Sequence, residues 1–522
     1  AWNIDAFATS KSVTDHLESW VTSKFGTENS YRITEVLIEN NRLSYIRRPE
    51  FMAWSRVEPV TKANETQLTQ FHYGDEVGTR IKAYENIIAS SNAILNTIPD
   101  AQKDAYFQLV HYPLTAAGNL NLKWLYHYKN QFAAKQGRQS AIYFGNKSIE
   151  AFQEINSLTE YYNKGIKEGK WEHIMNASPR YLPVFDVAYS INPRNNEKEG
   201  MGLALEGYEM EVNSKSINSF ADVLPVFNAY VKNEYYIDVF LKGEKSMVWK
   251  AVPRAPWIQV SEMEGILSQK TPETRVWVSL DWETVPKGLD KKEAPLGHDY
   301  QLIPPSYKVN SAIDFISEND TISIGISAYN PKFEKLENYT GYVEDKGFVS
   351  INAENYSEAK KGKETEWKTI EGLGYSGKVM SALPNTASPQ VAEVAILANS
   401  PVLSYDFYTF NFGEAKVEIQ AVPTHAPNKA YGVRCAVAID DAKPVLVDFQ
   451  TFGRSDTWKE NVLRNATRGT ADQIVDRAGK HTLKIWMVDP GVMLDKVLID
   501  LGGWKNSYDF PKETKTKSRD AQ

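Results

Sequence analysis

The stretch "GLGYSGKV" at 372–379 comes nearest to a chemical motif in this chain. Gly372, Gly374 and Gly377 keep the G-x-G-x-x-G spacing of a dinucleotide loop, and Gly372, Gly377 and Lys378 imitate a phosphate loop. A phosphate loop needs Ser or Thr after the lysine to carry Mg²⁺, and Val379 stands there. A dinucleotide loop must open a helix whose N-terminus faces the pyrophosphate. The flanks "WKTIE" and "KVMSAL" instead alternate like strands, so the spacing predicts a glycine-rich hairpin and no cofactor. The histidines His16, His72, His111, His127, His173, His298, His425 and His481 make no H-E-x-x-H and keep no metal-ligand spacing, so no metal is expected. His481 starts a strand and is expected to hydrogen-bond locally. No G-x-S-x-G elbow occurs. A carboxylate pair for glycosidic cleavage comes from distant strands and cannot be read from spacing, so no catalytic residue is assigned.

Two kinds of periodicity set the framework that would position any site. Residues 1–190 are expected to be a helical bundle: Val13, Leu17, Trp20 and Val21 keep helical spacing, as do Ile81, Tyr84, Ile88 and Leu95. The pattern Phe107, Val110, Leu114, Ala117 runs across Pro113, which should kink or break its helix. Residues 191–222 are polar and aperiodic at their start and read as a crossover linker. From about 223 the period becomes two, in "YYIDVFLKG", "RVWVSLDW" and "TISIGISAY", with a second β segment from "GYVEDKGFVSINAENYS" onward. That length of short strands fits two sandwiches, 223–335 and 336–510, before a polar tail at 511–522. The last of it, "GKHTLKIWMVDPGVMLDKVLIDLGG" at 479–503, reads as a strand pair joined at a Pro-Gly corner.

The net charge of −7 argues against a nucleic-acid partner. No apolar run is long enough to span a membrane. The lone cysteine, Cys435, excludes an intramolecular disulfide and, flanked by Val433 and Val437, reads as a buried small residue. Aromatic residues make up 12% of the chain, a share that suits sugar stacking and sandwich cores alike. The opening "AWNIDAFATSKSVTDHL" has no initiator Met or signal peptide, as expected of a trimmed product.

An ordered set of segments nevertheless resembles one family. "WVTSKFG", "LSYIRRPEFM", "DAYFQLVHYPLTAAGNLN" and "YYNKGIKEGKWEHIM" in the helical part are followed by "YYIDVFLKGEKSMVWK", "APWIQVSEMEG", "RVWVSLDWETVPKG", "EWKTIEGLGYSGKVMSALP" and the closing strand pair. Together they resemble the C-terminal part of glycoside hydrolase family 115, the α-glucuronidases of glucuronoxylan and related polysaccharides. The ending "WKNSYDFPKET" departs from the family's usual one. The resemblance implies a multidomain chain, α then β: a helical bundle, then an immunoglobulin-like sandwich and a jelly-roll sandwich of carbohydrate-binding-module character. It also implies a catalytic barrel, expected before residue 1, that would hold the catalytic carboxylates.

By the same resemblance Tyr45, Arg47, Arg48, Lys170 and Trp171 are candidates for a wall of the substrate pocket, where cations would suit a uronate carboxylate. Helix–helix or domain contacts are their plainer explanation. By the resemblance to such jelly rolls Glu354 is a candidate calcium or sugar ligand, although a surface place on an edge strand is the better reading. Trp367, Trp458 and Trp486 are candidates for glycan stacking on a sandwich face. Two readings follow. In the first, the chain is the accessory, non-barrel part of an enzyme removing α-1,2-linked (4-O-methyl)glucuronic acid, inactive alone. In the second it is a stand-alone, non-catalytic polysaccharide-binding protein. The expected partners are glucuronoxylan or arabinogalactan and the barrel, with a homodimer if the bundle exposes an apolar patch. The expected location is periplasmic or secreted.

Overall fold

The computed structural model describes residues 10–53, 66–193, 199–212, 223–288, 308–318, 320–330, 336 and 339–516. The opening Ala-Trp-Asn block and the end of the polar tail lie outside these residues. The chain forms two compact units, one of 1–70, 75–197 and 463–465, the other of 71–74, 198–462 and 466–522. Among the described residues no helix is long and apolar enough to cross a membrane.

The first unit is helical: α1 (Ser10–Phe25), α2 (Thr27–Ile46), α3 (Glu76–Thr97), α4 (Asp100–Tyr106), α5 (Tyr112–Lys135) and α6 (Ser140–Glu160). α5 is buried almost all round, as expected of the central helix of a bundle. Gly118 of α5 faces α3, where the tip of the Ile88 side chain takes the space a Cβ would need, 2.9 Å away. Pro113 does not break the helix. It sits in the first turn of α5, and the π-helical turn Phe107–His111 before it carries α4 into α5. Arg80 of α3 is buried and donates to the carbonyls of Leu43 and Arg47 at the end of α2 and to Asn121 Oδ1 of α5. One cation thus serves carbonyls at the end of α2 and ties three helices together.

The second unit holds two sandwiches. In the first, Gly200–Leu205, Tyr235–Lys242, Glu273–Leu280 and Ile258–Val260 form one sheet in that order. The facing sheet runs Phe227–Asn228, Thr321–Tyr329, Lys308–Ser317, Met247–Pro253, Glu264–Leu267, with Trp249, Phe315, Ile237 and Val239 in the core between them. The segment read as a crossover therefore contains a strand, with Gly200 opposite Lys242 and Leu205 opposite Ile237.

The second sandwich faces two sheets across a core that includes Val349, Tyr405, Ile419, Val437, Ile485 and Val497. The strands Gly479–Met487 and Met493–Asp500 do not pair with each other. The first lies between Val402–Thr409 and Arg434–Ile439 in one sheet; the second lies between Gly413–Ala421 and the strands Phe348–Asn352 and Lys378–Leu383 in the other. The corner that carries the chain across is fixed by Asp489, fully buried, which accepts from Arg434 Nε (2.6 Å) and Nη2 (3.1 Å) and from Gly432 N (3.1 Å). Residues 511–516 are not a free tail: Thr514 is buried, its carbonyl accepts from Val343 N and its N–H donates to Ser350 O.

Lys123 yields a stability prediction. It is fully buried on α5, donating from Nζ to the carbonyls of Val184 (2.8 Å) and Asp186 (2.5 Å) beside the rings of Trp124 and Phe152. Burial, partly opposed by Asp186, lowers its pKa from 10.5 to about 7. Across that window the unfolded chain holds a proton that the folded chain lacks, so stability contributed by this site rises with pH. Urea unfolding should show a higher midpoint at pH 9 than at pH 7. In Lys123→Met the difference should shrink.

Candidate functional site

The residues proposed for a pocket wall do not converge. Tyr45 is half-buried in the last turn of α2. Arg47 is buried, its Nη2 donating to Phe51 O at 2.7 Å, a structural role in the turn after α2. Arg48 is exposed, 5.9 Å from the centre of the Phe51 ring. Lys170 is exposed above the Trp171 ring, and Trp171 packs on Phe107, Tyr112 and Tyr162 at the start of α5. The Arg47 carbonyl meets Arg80, which binds Asn121, more than two turns further along α5.

Two of the three tryptophans have no open ring face. Trp367 is buried in the jelly-roll core, with Nε1 donating to Pro401 O at 3.1 Å. Trp486 does point away from the main core, as alternation requires, but α7 (Glu393–Asn399) covers it through Ile396. Trp458, on α8 (Asp456–Arg464), keeps partial exposure with the Arg454 guanidinium 5.8 Å from its ring.

The glycine motif is a hairpin loop between Glu366–Glu371 and Lys378–Leu383, closed by Gly372 N to Gly377 O. Gly374 and Gly377 have φ of +76° and +87°. Asp495, buried, accepts from Tyr375 N, Ser376 N, Ser376 Oγ and Gln420 Nε2 and so holds the loop down. Glu513 accepts from Asn352 N, Tyr342 Oη and Asn355 Nδ2. Between these carboxylates stands Glu354, half-buried, 3.4 Å from Ser376 Oγ, whose one proton it shares with Asp495 and the Lys378 carbonyl (2.7 Å). Burial first, then the charges of Glu513 and Asp495, raise its pKa. The oxygen donors are of the kind a hard cation prefers. Asp440, Asp476 and His481 also approach one another, but both His481 nitrogens are engaged, with Asp440 Oδ2 and Arg477 O, and the Arg477 guanidinium pairs with Asp476.

A cavity of about 170 Å³ lies in the second unit. Glu206 and Tyr235, both buried, form its floor, while the exposed Tyr208 and Lys505 stand at its mouth. Six separate segments build it. His72 and Tyr73 come from 71–74, Glu206 to Tyr208 follow the strand Gly200–Leu205, Pro225 precedes Phe227–Asn228, Tyr235 opens the strand Tyr235–Lys242, Lys346 sits in the turn after Tyr342–Val343, and Gly502 to Lys505 follow the last strand. Glu206 is committed to the fold, accepting from Gly74 N (2.7 Å) and Tyr236 N (3.3 Å). Lys346 donates to Tyr235 Oη at 3.1 Å, lies 3.4 Å from Asp345 and sits 4.8 Å from the Tyr235 ring centre. Tyr73 Oη accepts from Lys505 N at 2.6 Å, and burial pushes its pKa up to about 12, so it stays protonated. His72 is held below the usual imidazole range by burial and by Lys505, so it is neutral at pH 7. Gly503 is required for the wall: a Cβ would fall 1.7 Å from Lys346 O. Of these residues, sequence reasoning noticed only His72 and the Gly-Gly pair.

With this geometry in hand, comparison with known proteins gives three findings. Residues 341–513 match the Glycosyl hydrolase family 115 C-terminal domain. The solved structure of a family GH115 4-O-methyl-α-glucuronidase with specificity for decorated arabinogalactans is similar at TM-score 0.54 and 21% identity, covering 93% of this chain and 41% of that one. A family 35 carbohydrate binding module from Clostridium thermocellum matches over 29% of this chain and 97% of its own, with 14% identity and TM-score 0.21. No curated protein sequence matches. The α-then-β architecture expected from the sequence is thus that of the solved glucuronidase, of which this chain spans less than half the length.

Glu354 supplies the prediction here. A carboxyl with a raised folded pKa loses stability as pH rises through that window, so Glu354→Gln should raise the melting temperature at pH 7 in metal-free buffer. The gain should vanish toward pH 4.

Proposed function

Because residues 341–513 match the family 115 C-terminal domain, we propose that this chain is the accessory portion of an α-glucuronidase that removes α-1,2-linked glucuronic or 4-O-methylglucuronic acid from glucuronoxylan or a decorated arabinogalactan. That match carries the reading, and the fold likeness over 93% of the chain supports it. In the complete enzyme two carboxylates of a catalytic barrel act as general acid and general base or nucleophile across the glycosidic bond. This chain supports that barrel. Of the exposed cations Arg48 and Lys170, which lie on separate parts of the bundle, one would face the uronate carboxylate, whereas Arg47 serves the turn in which it lies.

Polysaccharide binding by the sandwiches is the second reading, and the partial exposure of Trp458 favours it over a core role for that ring. Either reading places the protein with its polymer, in the periplasm or outside the cell. Self-association of the chain accompanies the first reading wherever the barrel's contact surface is left open.

The test is release of glucuronic acid from glucuronoxylan and arabinogalactan, read against intact mass. A longer native protein should release it, and the 59.1 kDa chain alone should not. Release by the 59.1 kDa species would overturn the accessory role.

A further inference from the structure

The cavity at Lys346 has donors left over. Lys346 spends its N–H groups on Tyr235 Oη and Asp345, and three donors on an ammonium leave one more. Tyr73 Oη accepts from Lys505 N, and among the described residues it donates to nothing. Lys505 is exposed, and among the described residues no carboxylate pairs with it. Three carboxylates nearby are engaged, Glu206 by two backbone N–H groups, Asp345 by the amides of Asn228 (3.4 Å) and Asn233 (3.0 Å), and Asp500 by Gly502 N and Trp504 N, while Glu209 is exposed and acts on His72. What faces the cavity is therefore a set of unspent donors, two of them cationic, beside the rings of Tyr73 and Tyr235. A space of about 170 Å³ accepts one ring-sized group, since a cavity of about 150 Å³ holds benzene.

We propose that this cavity binds a single uronic acid residue, its carboxylate between Lys346 and Lys505 and its ring against the tyrosines, with Tyr73 Oη donating to it. The choice of a uronate rests on the glucuronidase reading above; the demand for a compact anion with a ring comes from the cavity itself. Ammonium groups beside aromatic faces suit this ligand, because the apolar face of a pyranose packs on the rings while its carboxylate takes the charge. Glu206 closes the floor, held there by Gly74 N and Tyr236 N, and feels the charge of Lys346 without a direct ion pair among the described residues.

The experiment is calorimetric titration of the 522-residue chain with sodium glucuronate, glucose and sodium acetate. Glucuronate should bind more tightly than either control, and more weakly at high salt. Lys505→Ala, at an exposed site, and Tyr73→Phe, which keeps the ring packed on Phe348, should each weaken glucuronate binding about tenfold, the scale of a lost hydrogen bond to a charged group. A glucuronic-acid-capped oligosaccharide in the same titration separates recognition of a chain end from recognition of the released sugar, and binding of either supports the site. Glucuronate binding no tighter than glucose, or unchanged in both folded variants, overturns it. If the complete enzyme releases glucuronic acid while this chain binds none, the cavity assignment fails and the enzyme reading stands.

Discussion

Two consecutive buried carboxylates, Glu344 and Asp345, hold the second unit together. Glu344 accepts from Phe410 N (2.7 Å), Asn411 N (2.8 Å) and the Asn411 side chain, all at the end of the jelly-roll strand Val402–Thr409. Asp345 turns the other way and accepts from Asn228 and Asn233 of the first sandwich, and the Asn228 amide also reaches the Glu344 carbonyl. Around this seam Tyr329, Val343, Tyr408 and Phe410 pack as an apolar cluster shared by both sandwiches. Buried polar groups are costly unless hydrogen-bonded, and here backbone and amide donors supply the bonds. The seam thereby sets one sandwich against the other in a fixed orientation.

The cavity depends on that constraint. Lys346 follows Asp345 directly and has φ of +52°, an uncommon conformation for a lysine, with Gly347 at +80° behind it. The tight turn Asp345–Phe348 is closed by backbone bonds in both directions, so the lysine projects where the seam sends it. Its position against Tyr235 of the first sandwich is a consequence of how the sandwiches are joined. Contacts among Tyr73, Phe348 and Lys505 complete the enclosure from the chain's two distant ends of this unit.

Much of the architecture was legible because hydrophobic period reports local geometry directly. Tyr235–Lys242 and Thr321–Tyr329 fall within a residue of where alternation and turn residues put them. Period says little about partners. It placed Trp486 correctly on the face opposite Ile485 and Met487 but could not show that Ile396 lies over it. It identified both closing strands without revealing that they join opposite sheets. Gly200–Leu205 escaped notice because six residues with two glycines and polar flanks carry too little pattern, although every residue after the first is buried. The stretch 511–516 looked like a tail because its Lys and Thr content resembles one, yet Thr514 supplies ladder bonds on both sides. Cavity residues drawn from six segments, none with a motif, were beyond any reading by spacing.

The division of the closing strands between sheets bears on how the jelly roll is made. Gly479–Met487 and Met493–Asp500 are interior to their sheets, and each is flanked by strands synthesised well before it. Until the ribosome has released this last stretch, both sheets lack their middle, and the strands on either side present bare edges. Folding of this domain therefore waits for its final residues, with a high contact order, and both halves are completed almost together as one corner is set by Asp489. A nascent chain interrupted just short of residue 479 would keep its hairpins and have no sandwich.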